Sequence, residues 1–173
     1  MSDPVPHPDP HPDPQAPAYQ RLDSLADYHD AFDALLARAR REAWMFDLAL
    51  NRSFDRPERI EHLNTFLAGN RHARLYILLH DASTVQANCP RLCTLLRRFS
   101  DAIVICQTTE AARSAADPLL VVDAMHALRR VHHASLRSVL ITDDPEAVRP
   151  LHERLLQIHE ASVPAVAATT LGL

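Results

Sequence analysis

The residues best suited to chemistry follow short apolar runs. Leu119 to Val122 is such a run and stops at Asp123, and Asp47 and His80 follow two others. A run of this kind is typical of a strand buried on both faces. Open α/β sheets build their sites at the carboxyl ends of strands, and carboxylate oxygens suit Mg²⁺. One hypothesis is therefore a small metal-dependent phosphoesterase that uses Asp47, His80 and Asp123.

The composition argues against several chemistries that such strand ends support in other proteins. All 18 basic residues are arginines, and the two glycines are Gly69 and Gly172. Without a lysine or a glycine-rich loop, the chain has no Schiff base, no P-loop and no dinucleotide-binding turn. Because aspartate also ends strands simply by favouring turns, a structural role for these acids is the better expectation. We expect no cofactor and no metal site.

Cysteine and serine chemistry finds equally little support. The three cysteines are an odd number in a chain of this size, which favours reduced, buried thiols over a disulfide framework. The sequence has no G-x-S-x-G motif, in which a serine nucleophile would stand on a tight turn. We assign no catalytic residue.

Apolar spacing predicts an α/β fold with a mixed, largely parallel sheet of about six or seven strands flanked by helices. We predict helices at about 22–41, from Pro57 to Gly69, at 81–100 with a break at Pro90, and from Pro145 onward. We predict strands at 43–49, 75–79, 102–106, 119–123, 127–131 and 138–142, and an edge strand at 163–169.

Two regions differ in composition. Residues 1–17 repeat the unit His-Pro-Asp-Pro, which predicts a disordered, semi-rigid spacer, and residues 18–173 are predicted to form one domain. That second part carries 19 acids against 18 arginines, so we expect no general nucleic-acid binding. No apolar run is long enough for a membrane span and none resembles a secretory signal, so we expect a cytoplasmic protein without membrane contacts.

The order of elements over about residues 24–170 resembles one half of the phospholipase D superfamily. The likeness includes the strand Trp44-Met45-Phe46-Asp47 and the strand that ends at Asp123. Active members carry H-x-K-x-x-x-x-D, in which the histidine attacks phosphorus and the lysine binds phosphate oxygens. With Asp123 at the motif aspartate, Ala116 stands at the histidine position and Pro118 at the lysine position. The resemblance therefore implies the fold without its catalytic pair.

The chain is also similar to an uncharacterised bacterial phospholipase D-like domain that often follows an acetyltransferase domain. This resemblance implies a non-catalytic binding or regulatory domain, with an accessory role beside an acetyltransferase as one form. Arg129 and Arg130, just past the degenerate motif, are expected to contact a small anionic ligand, because guanidinium binds phosphate or carboxylate with two hydrogen bonds. The candidate binding residues are Asp47, His80, Asp123, Arg129 and Arg130.

A protein partner or self-association is a further expectation, since single phospholipase D-like halves usually pair. A purely structural homodimerisation module is accordingly another alternative for the whole chain.

Overall fold

The computed structural model describes residues 18–167, which contain eight strands and five α-helices. The strands are β1 (Ala18–Leu22), β2 (Glu42–Ala49), β3 (Arg74–Asp81), β4 (Ile103–Thr108), β5 (Leu119–Val122), β6 (His126–Arg130), β7 (Ser138–Thr142) and β8 (Ser162–Val166). The helices are α1 (Leu25–Arg38), α2 (Pro57–Gly69), α3 (Val85–Asn88), α4 (Pro90–Arg98) and α5 (Pro145–Glu160), with a short 3₁₀ helix at Glu110–Ala112.

The strands form one sheet in the order β1-β7-β6-β5-β2-β3-β4-β8. The predicted mixed α/β class is confirmed, but the sheet has eight strands rather than six or seven. Only the β2–β3 and β3–β4 pairs are parallel, so antiparallel pairs outnumber parallel ones. The unpredicted strand is β1, which has no apolar run and joins the sheet by pairing with β7. The predicted edge strand is β8, and residues 168 and 169 of that prediction lie outside the described part, as does the predicted spacer at 1–17.

Helices cover both faces of the sheet, and each strand divides its side chains between them. On β2, Ala43 and Met45 face the core under α1, α2 and α4, whereas Trp44 and Phe46 face the core under α5. We call these two sides the α1 face and the α5 face. Since successive residues of a strand point to opposite sides, neighbouring positions in the sequence serve different cores. None of the helices within residues 18–167 is long and apolar enough to cross a membrane.

Local sequence signals set the helix boundaries. Ser24 caps α1 by accepting a hydrogen bond from the backbone N–H of Asp27, and Asp144 caps α5 in the same way through Ala147. Prolines occupy the first turns of α2, α4 and α5, where a missing N–H costs nothing. Pro90 divides the predicted helix at 81–100 into α3 and α4. The break was therefore predictable from the sequence.

Asp55 fixes the loop that follows β2 against α4. Its buried carboxylate accepts hydrogen bonds from the backbone N–H groups of Arg91 (3.0 Å) and Leu92 (2.8 Å), in the first turn of α4. An acid at this position satisfies N–H groups that have no partner inside the helix, and it also complements the helix dipole. The loop at 50–55 is thereby held in place as one wall of the pocket described below.

A second polar contact joins the end of α1 to the turn after β7. Arg38 donates two hydrogen bonds to the carboxylate of Asp143, at 3.0 and 2.9 Å. The backbone N–H of Asp143, a residue with φ of 58°, donates to Nδ1 of the buried His126 (3.0 Å). Burial and Arg38 lower the pKa of His126, although Asp143 and Asp123 oppose them. The acceptor role of Nδ1 requires that this nitrogen carry no proton.

Acid should therefore destabilise the fold partly through His126. Because its pKa is lower in the folded chain, the unfolded chain binds the proton first once the pH falls below about 6.5. This contribution to stability is present above that pH and is lost as the pH falls toward the folded-state pKa. His126→Asn keeps an oxygen acceptor for Asp143 but cannot titrate. In urea unfolding at about pH 7 and about pH 5, the variant should lose less stability than the wild type. Equal losses would contradict this role.

Candidate functional site

A pocket of about 300 Å³ lies at the carboxyl end of β2, on the α1 face of the sheet. We call it the Asp47 pocket. Its walls come from α1, from the loop after β2, from the start of α2 and from the end of β6 with the residue His133. The polar side chains among them are Tyr28, His29, Asp47, Asn51, Ser53, Arg59, Arg130 and His133. The pocket therefore brings together two of the five predicted site residues, Asp47 and Arg130.

Asp47 lies in the pocket because it shares the alternation of Ala43 and Met45 along β2. Its Oδ1 accepts a hydrogen bond from the backbone N–H of Leu48 (2.7 Å), and no arginine or histidine of residues 18–167 forms an ion pair with it. Burial raises the pKa of Asp47, and the bond from Leu48 and the charges of Arg130 and His133 oppose that rise. Asp47 is thus a desolvated acid that has no ion-pair partner among the described residues.

Arg130 holds the loop after β6. Its Nη2 donates to the carbonyl oxygens of His133 (2.5 Å) and Ser135 (2.7 Å), and its Nε donates to Ser135 as well (3.1 Å). Its Cζ lies 5.3 Å from the centre of the Tyr28 ring, a cation–π contact with α1. The backbone N–H of His133 in turn donates to the carbonyl oxygen of Ala116 (3.1 Å). Arg130 thereby helps to hold His133 beside Ala116.

Arg59 is one of the six polar pocket residues that were not predicted from the sequence. It lies on α2, is 2% exposed, and donates from Nε to Oδ1 of Asp33 (2.5 Å). Its Cζ lies 4.4 Å from the centre of the Phe32 ring and 5.4 Å from that of Phe54. A signal was present, because Arg59 precedes the buried Leu63 by four residues and so lies on the buried face of α2.

Two arginines share the carboxylate of Asp33. Arg56 donates to Oδ2 of Asp33 (2.5 Å) while Arg59 uses Oδ1, so two positive charges face one negative charge. Nη2 of Arg59 is buried and has no hydrogen-bond acceptor among the described residues. This is unusual, because buried polar groups are nearly always hydrogen-bonded.

Tyr28 and His29 complete the α1 side of the pocket. Burial and Asp47 raise the pKa of Tyr28, and Arg130 and Arg59 oppose them. Burial, Arg59 and Arg56 lower the pKa of His29, against a smaller opposing effect of Asp33. Both side chains are therefore held neutral near neutral pH. Nδ1 of His29 is also buried and has no hydrogen-bond partner within residues 18–167.

The structure places His80 and Arg129 on the α5 face, away from this pocket. His80 makes hydrogen bonds through Nδ1 to Oγ1 of Thr108 (2.5 Å) and through Nε2 to the carbonyl oxygen of Ala115 (2.6 Å). Arg129 donates to the buried Asp117 (2.8 Å), which also binds Arg154 of α5. Both predicted residues are engaged in contacts within the fold. The alternation along β6 separates Arg129 from Arg130.

Asp123 lies at the opposite end of the sheet. Its carboxylate accepts hydrogen bonds from the backbone N–H groups of Arg40 (2.9 Å), Arg41 (2.7 Å) and Glu42 (2.9 Å). The cause is the antiparallel pairing of β5 with β2, which brings the carboxyl end of β5 to the amino end of β2. Asp47, His80 and Asp123 are therefore not brought together. Within the described part of the chain, no group of three or more His, Cys, Asp or Glu side chains is arranged to hold a metal ion.

Another pocket, of about 370 Å³, lies beside Asp123 and is lined by Arg41, His72 and Arg74, among others. Nη1 of Arg74 donates to the carbonyl oxygens of Ala73 (2.8 Å) and Arg71 (3.3 Å), and Nε2 of His72 accepts a hydrogen bond from Nε of Arg71 (2.9 Å). The guanidinium of Arg74 and the imidazole of His72 thus have partners within the fold. Among the described residues that line this pocket, none has a buried guanidinium donor without an acceptor, which is the feature of Arg59 in the Asp47 pocket.

The sequence matches one family model over residues 24–171, described as Domain of unknown function (DUF7931). A comparison with curated proteins finds no match.

Comparison with solved structures shows which known fold the chain shares. Nuc from Salmonella typhimurium, a phospholipase D family member, superimposes with a TM-score of 0.62 at 11% identity, over 87% of this chain and 99% of that one. NucT from Helicobacter pylori gives 0.55 at 13% identity, over 86% and 99%. TrmBL2, an archaeal chromatin protein with a novel mode of DNA binding, gives 0.62 at 10% identity, over 85% of this chain and 54% of that one. The predicted phospholipase D-like fold is confirmed.

Asp123 should matter for stability. Asp123→Ala removes the acceptor of three backbone N–H groups, so we expect a loss of about 2–4 kcal/mol in the free energy of unfolding. Asp101→Ala, at an exposed aspartate, is the control and should change stability by less than about 0.5 kcal/mol. Urea unfolding measures both. A loss in Asp123→Ala no larger than in the control would show that these bonds contribute nothing.

The turn after Asp123 contains a strained residue. Ala124 has φ of 54°, in the left-handed region, and the turn is closed by a bond from the N–H of Met125 to the carbonyl oxygen of Val122 (3.1 Å). Ala124→Gly should therefore stabilise the chain by about 1 kcal/mol. Ala34→Gly, at an exposed position in the middle of α1, should instead destabilise it by about 1 kcal/mol. Thermal unfolding of both variants gives the signs, and a destabilised Ala124→Gly would refute the strain argument.

Proposed function

We propose that this chain, which belongs to the DUF7931 family and has a phospholipase D-like fold, is a non-catalytic binding or regulatory domain. One observation carries the proposal. Asp123, the residue retained from the motif, has its carboxylate occupied by three backbone N–H groups at the far end of the sheet from the Asp47 pocket. Its role in this arrangement is to support the fold, which the sequence can keep after losing the catalytic pair.

The segment that would carry the catalytic pair supports the same conclusion. The carbonyl oxygens of Ala116 and Pro118 accept hydrogen bonds from the backbone N–H groups of His133 (3.1 Å) and Arg130 (2.9 Å). These backbone contacts join the segment to β6 and to the loop after it, and the carboxylate of Asp117 is held by Arg129 and Arg154. The side chains of Ala116 and Pro118 offer neither a nucleophile nor a cation.

A metal-dependent phosphoesterase that uses Asp47, His80 and Asp123 receives no support from the geometry. Asp47 lies on the α1 face, His80 is bonded to Thr108 and Ala115 on the α5 face, and Asp123 lies at the other end of the sheet. A metal centre needs its ligands within a few ångströms of one ion, about 2.0–2.6 Å for carboxylate oxygens.

The partners of the proposed domain follow from the resemblance and from charge. The accessory role beside an acetyltransferase and the self-association of the chain stay predictions. We also keep the prediction of no general nucleic-acid binding, since acids outnumber arginines in residues 18–173. The fold shared with TrmBL2 makes DNA a useful ligand in any binding screen.

The proposal predicts no phosphodiester turnover. Hydrolysis of bis(p-nitrophenyl) phosphate, with Mg²⁺, Mn²⁺ or Zn²⁺ added in turn, should not exceed the rate in buffer containing the same metal. Asp123→Asn should leave that result unchanged. A positive control with an active phosphodiesterase shows that the conditions permit turnover.

Turnover that disappears in His133→Ala or in Asp47→Asn would contradict the proposal, because it would place a working nucleophile or base in the Asp47 pocket. Turnover that disappears in Asp123→Asn would contradict it as well, because it would assign chemistry to the aspartate that we regard as structural.

A further inference from the structure

We propose that the Asp47 pocket binds a small organic anion, with Arg59 as the residue that anchors its charged end. This inference rests on the proposed binding function, and it names the site and the chemical class of the ligand. The anchor differs from the arginines that the sequence suggested. Arg129 pairs with Asp117 on the other face, and Arg130 donates from Nε and Nη2 to the carbonyl oxygens of its own loop.

Arg59 has a buried hydrogen-bond donor, Nη2, that has no acceptor among the described residues. The side chain is almost completely buried, and its guanidinium is clamped by Asp33 on one side and by the ring of Phe32 on the other. Its position is thus fixed before any ligand arrives. Nη2 is left without an acceptor among residues 18–167. A buried charged donor without a partner costs free energy. Because Nη2 has almost no accessible surface in the unbound chain, binding must first open it toward the pocket, where an oxyanion supplies the missing acceptor.

The charged groups around the pocket favour a negatively charged ligand. Three guanidinium groups, those of Arg56, Arg59 and Arg130, lie near two carboxylates, those of Asp33 and Asp47. One positive charge is left without a carboxylate. Nδ1 of His29, which also lacks a partner within the described part, can donate a second hydrogen bond from its neutral tautomer. Both unused groups therefore favour an acceptor with negative charge.

The size and walls of the pocket define the rest of the ligand. A volume of about 300 Å³ is at the lower end of the range for small-molecule sites. The apolar lining includes Leu25, Phe32 and Phe54, which suit an apolar body attached to the charged end. The carboxylate of Asp47 shares the pocket and would repel a second negative charge. A carboxylate or a phosphate monoester on a small apolar body is the class that fits.

Binding is measured with benzoate and phenyl phosphate as probes and with inorganic phosphate for comparison, all at one ionic strength. The Nε–Hε resonances of ¹⁵N-labelled protein report the titration, and the Arg59 resonance is assigned by its loss in Arg59→Gln. We expect the organic probes to shift that resonance in the wild type. Arg59→Gln should weaken their binding by about tenfold or more, as expected for the loss of a charged hydrogen bond.

Arg56→Gln is the matched control. It removes the other guanidinium on Asp33, and Arg56 does not line the pocket, so most of the binding should remain. Equal losses in Arg56→Gln and Arg59→Gln would show that the charge near Asp33, rather than a contact with Arg59, is responsible, and would overturn the assignment. The same holds if the wild type binds none of the probes, or binds inorganic phosphate but neither organic probe.

Ala49→Trp tests the pocket without touching an arginine. Ala49 is exposed and lines the pocket, so a tryptophan there would occupy its opening. This variant should abolish binding of both organic probes while the thermal unfolding midpoint stays close to that of the wild type. It keeps the proposal testable if Arg59→Gln fails to fold. Undiminished binding in Ala49→Trp would place the ligand elsewhere.

Failure of this inference is distinct from failure of the proposed function. Phosphodiester turnover would end the non-catalytic proposal, whether or not Arg59 binds the probes. If the probes do not bind at Arg59 and no phosphodiester is hydrolysed, the chain remains a non-catalytic domain whose ligand or partner binds at another surface.

Discussion

The antiparallel pairing of β5 with β2 is the constraint on which the rest of the structure depends. It carries Asp123 to the amino end of β2, where three backbone N–H groups between α1 and β2 bind its carboxylate. It also brings the segment before β5 to the carboxyl end of β2, where the carbonyl oxygens of Ala116 and Pro118 accept hydrogen bonds from the backbone of His133 and Arg130. One pairing therefore separates Asp123 from the Asp47 pocket and places residues 116–118 next to two residues that line it.

Most of the fold could be predicted because its elements carry local signals. The apolar runs of β2 to β7 and the prolines at 57, 90 and 145 identify strands and helix starts without tertiary information. The direction of β5 could not be read in this way, since an apolar run looks the same in a parallel and an antiparallel strand. The predicted grouping of Asp47, His80 and Asp123 assumed that all three strand ends meet at one edge of the sheet. The structure separates them by direction and by face.

The arginines show what sequence alone does not resolve. Arg129 and Arg130 are adjacent, yet one pairs with Asp117 under α5 and the other closes a loop beside Tyr28. Arg59 was not among the predicted site residues, but it is buried against Phe32 and shares Asp33 with Arg56. The guanidinium of Arg59 is held by one carboxylate and two aromatic rings, and one of its donors has no acceptor among the described residues. Burying such a group costs free energy of folding. Ligand binding gives this arrangement a physical reason.

A crystal structure of the wild-type chain with phenyl phosphate bound decides whether Arg59 anchors the ligand. We expect an oxygen of the phosphate within about 2.7–3.1 Å of Nη2 of Arg59, the phenyl group against the apolar wall of the Asp47 pocket, and Asp123 still hydrogen-bonded to the backbone of residues 40–42. Phenyl phosphate bound instead beside Arg41, His72 and Arg74, with Asp123 turned toward it, would contradict both the Arg59 site and the structural role of Asp123.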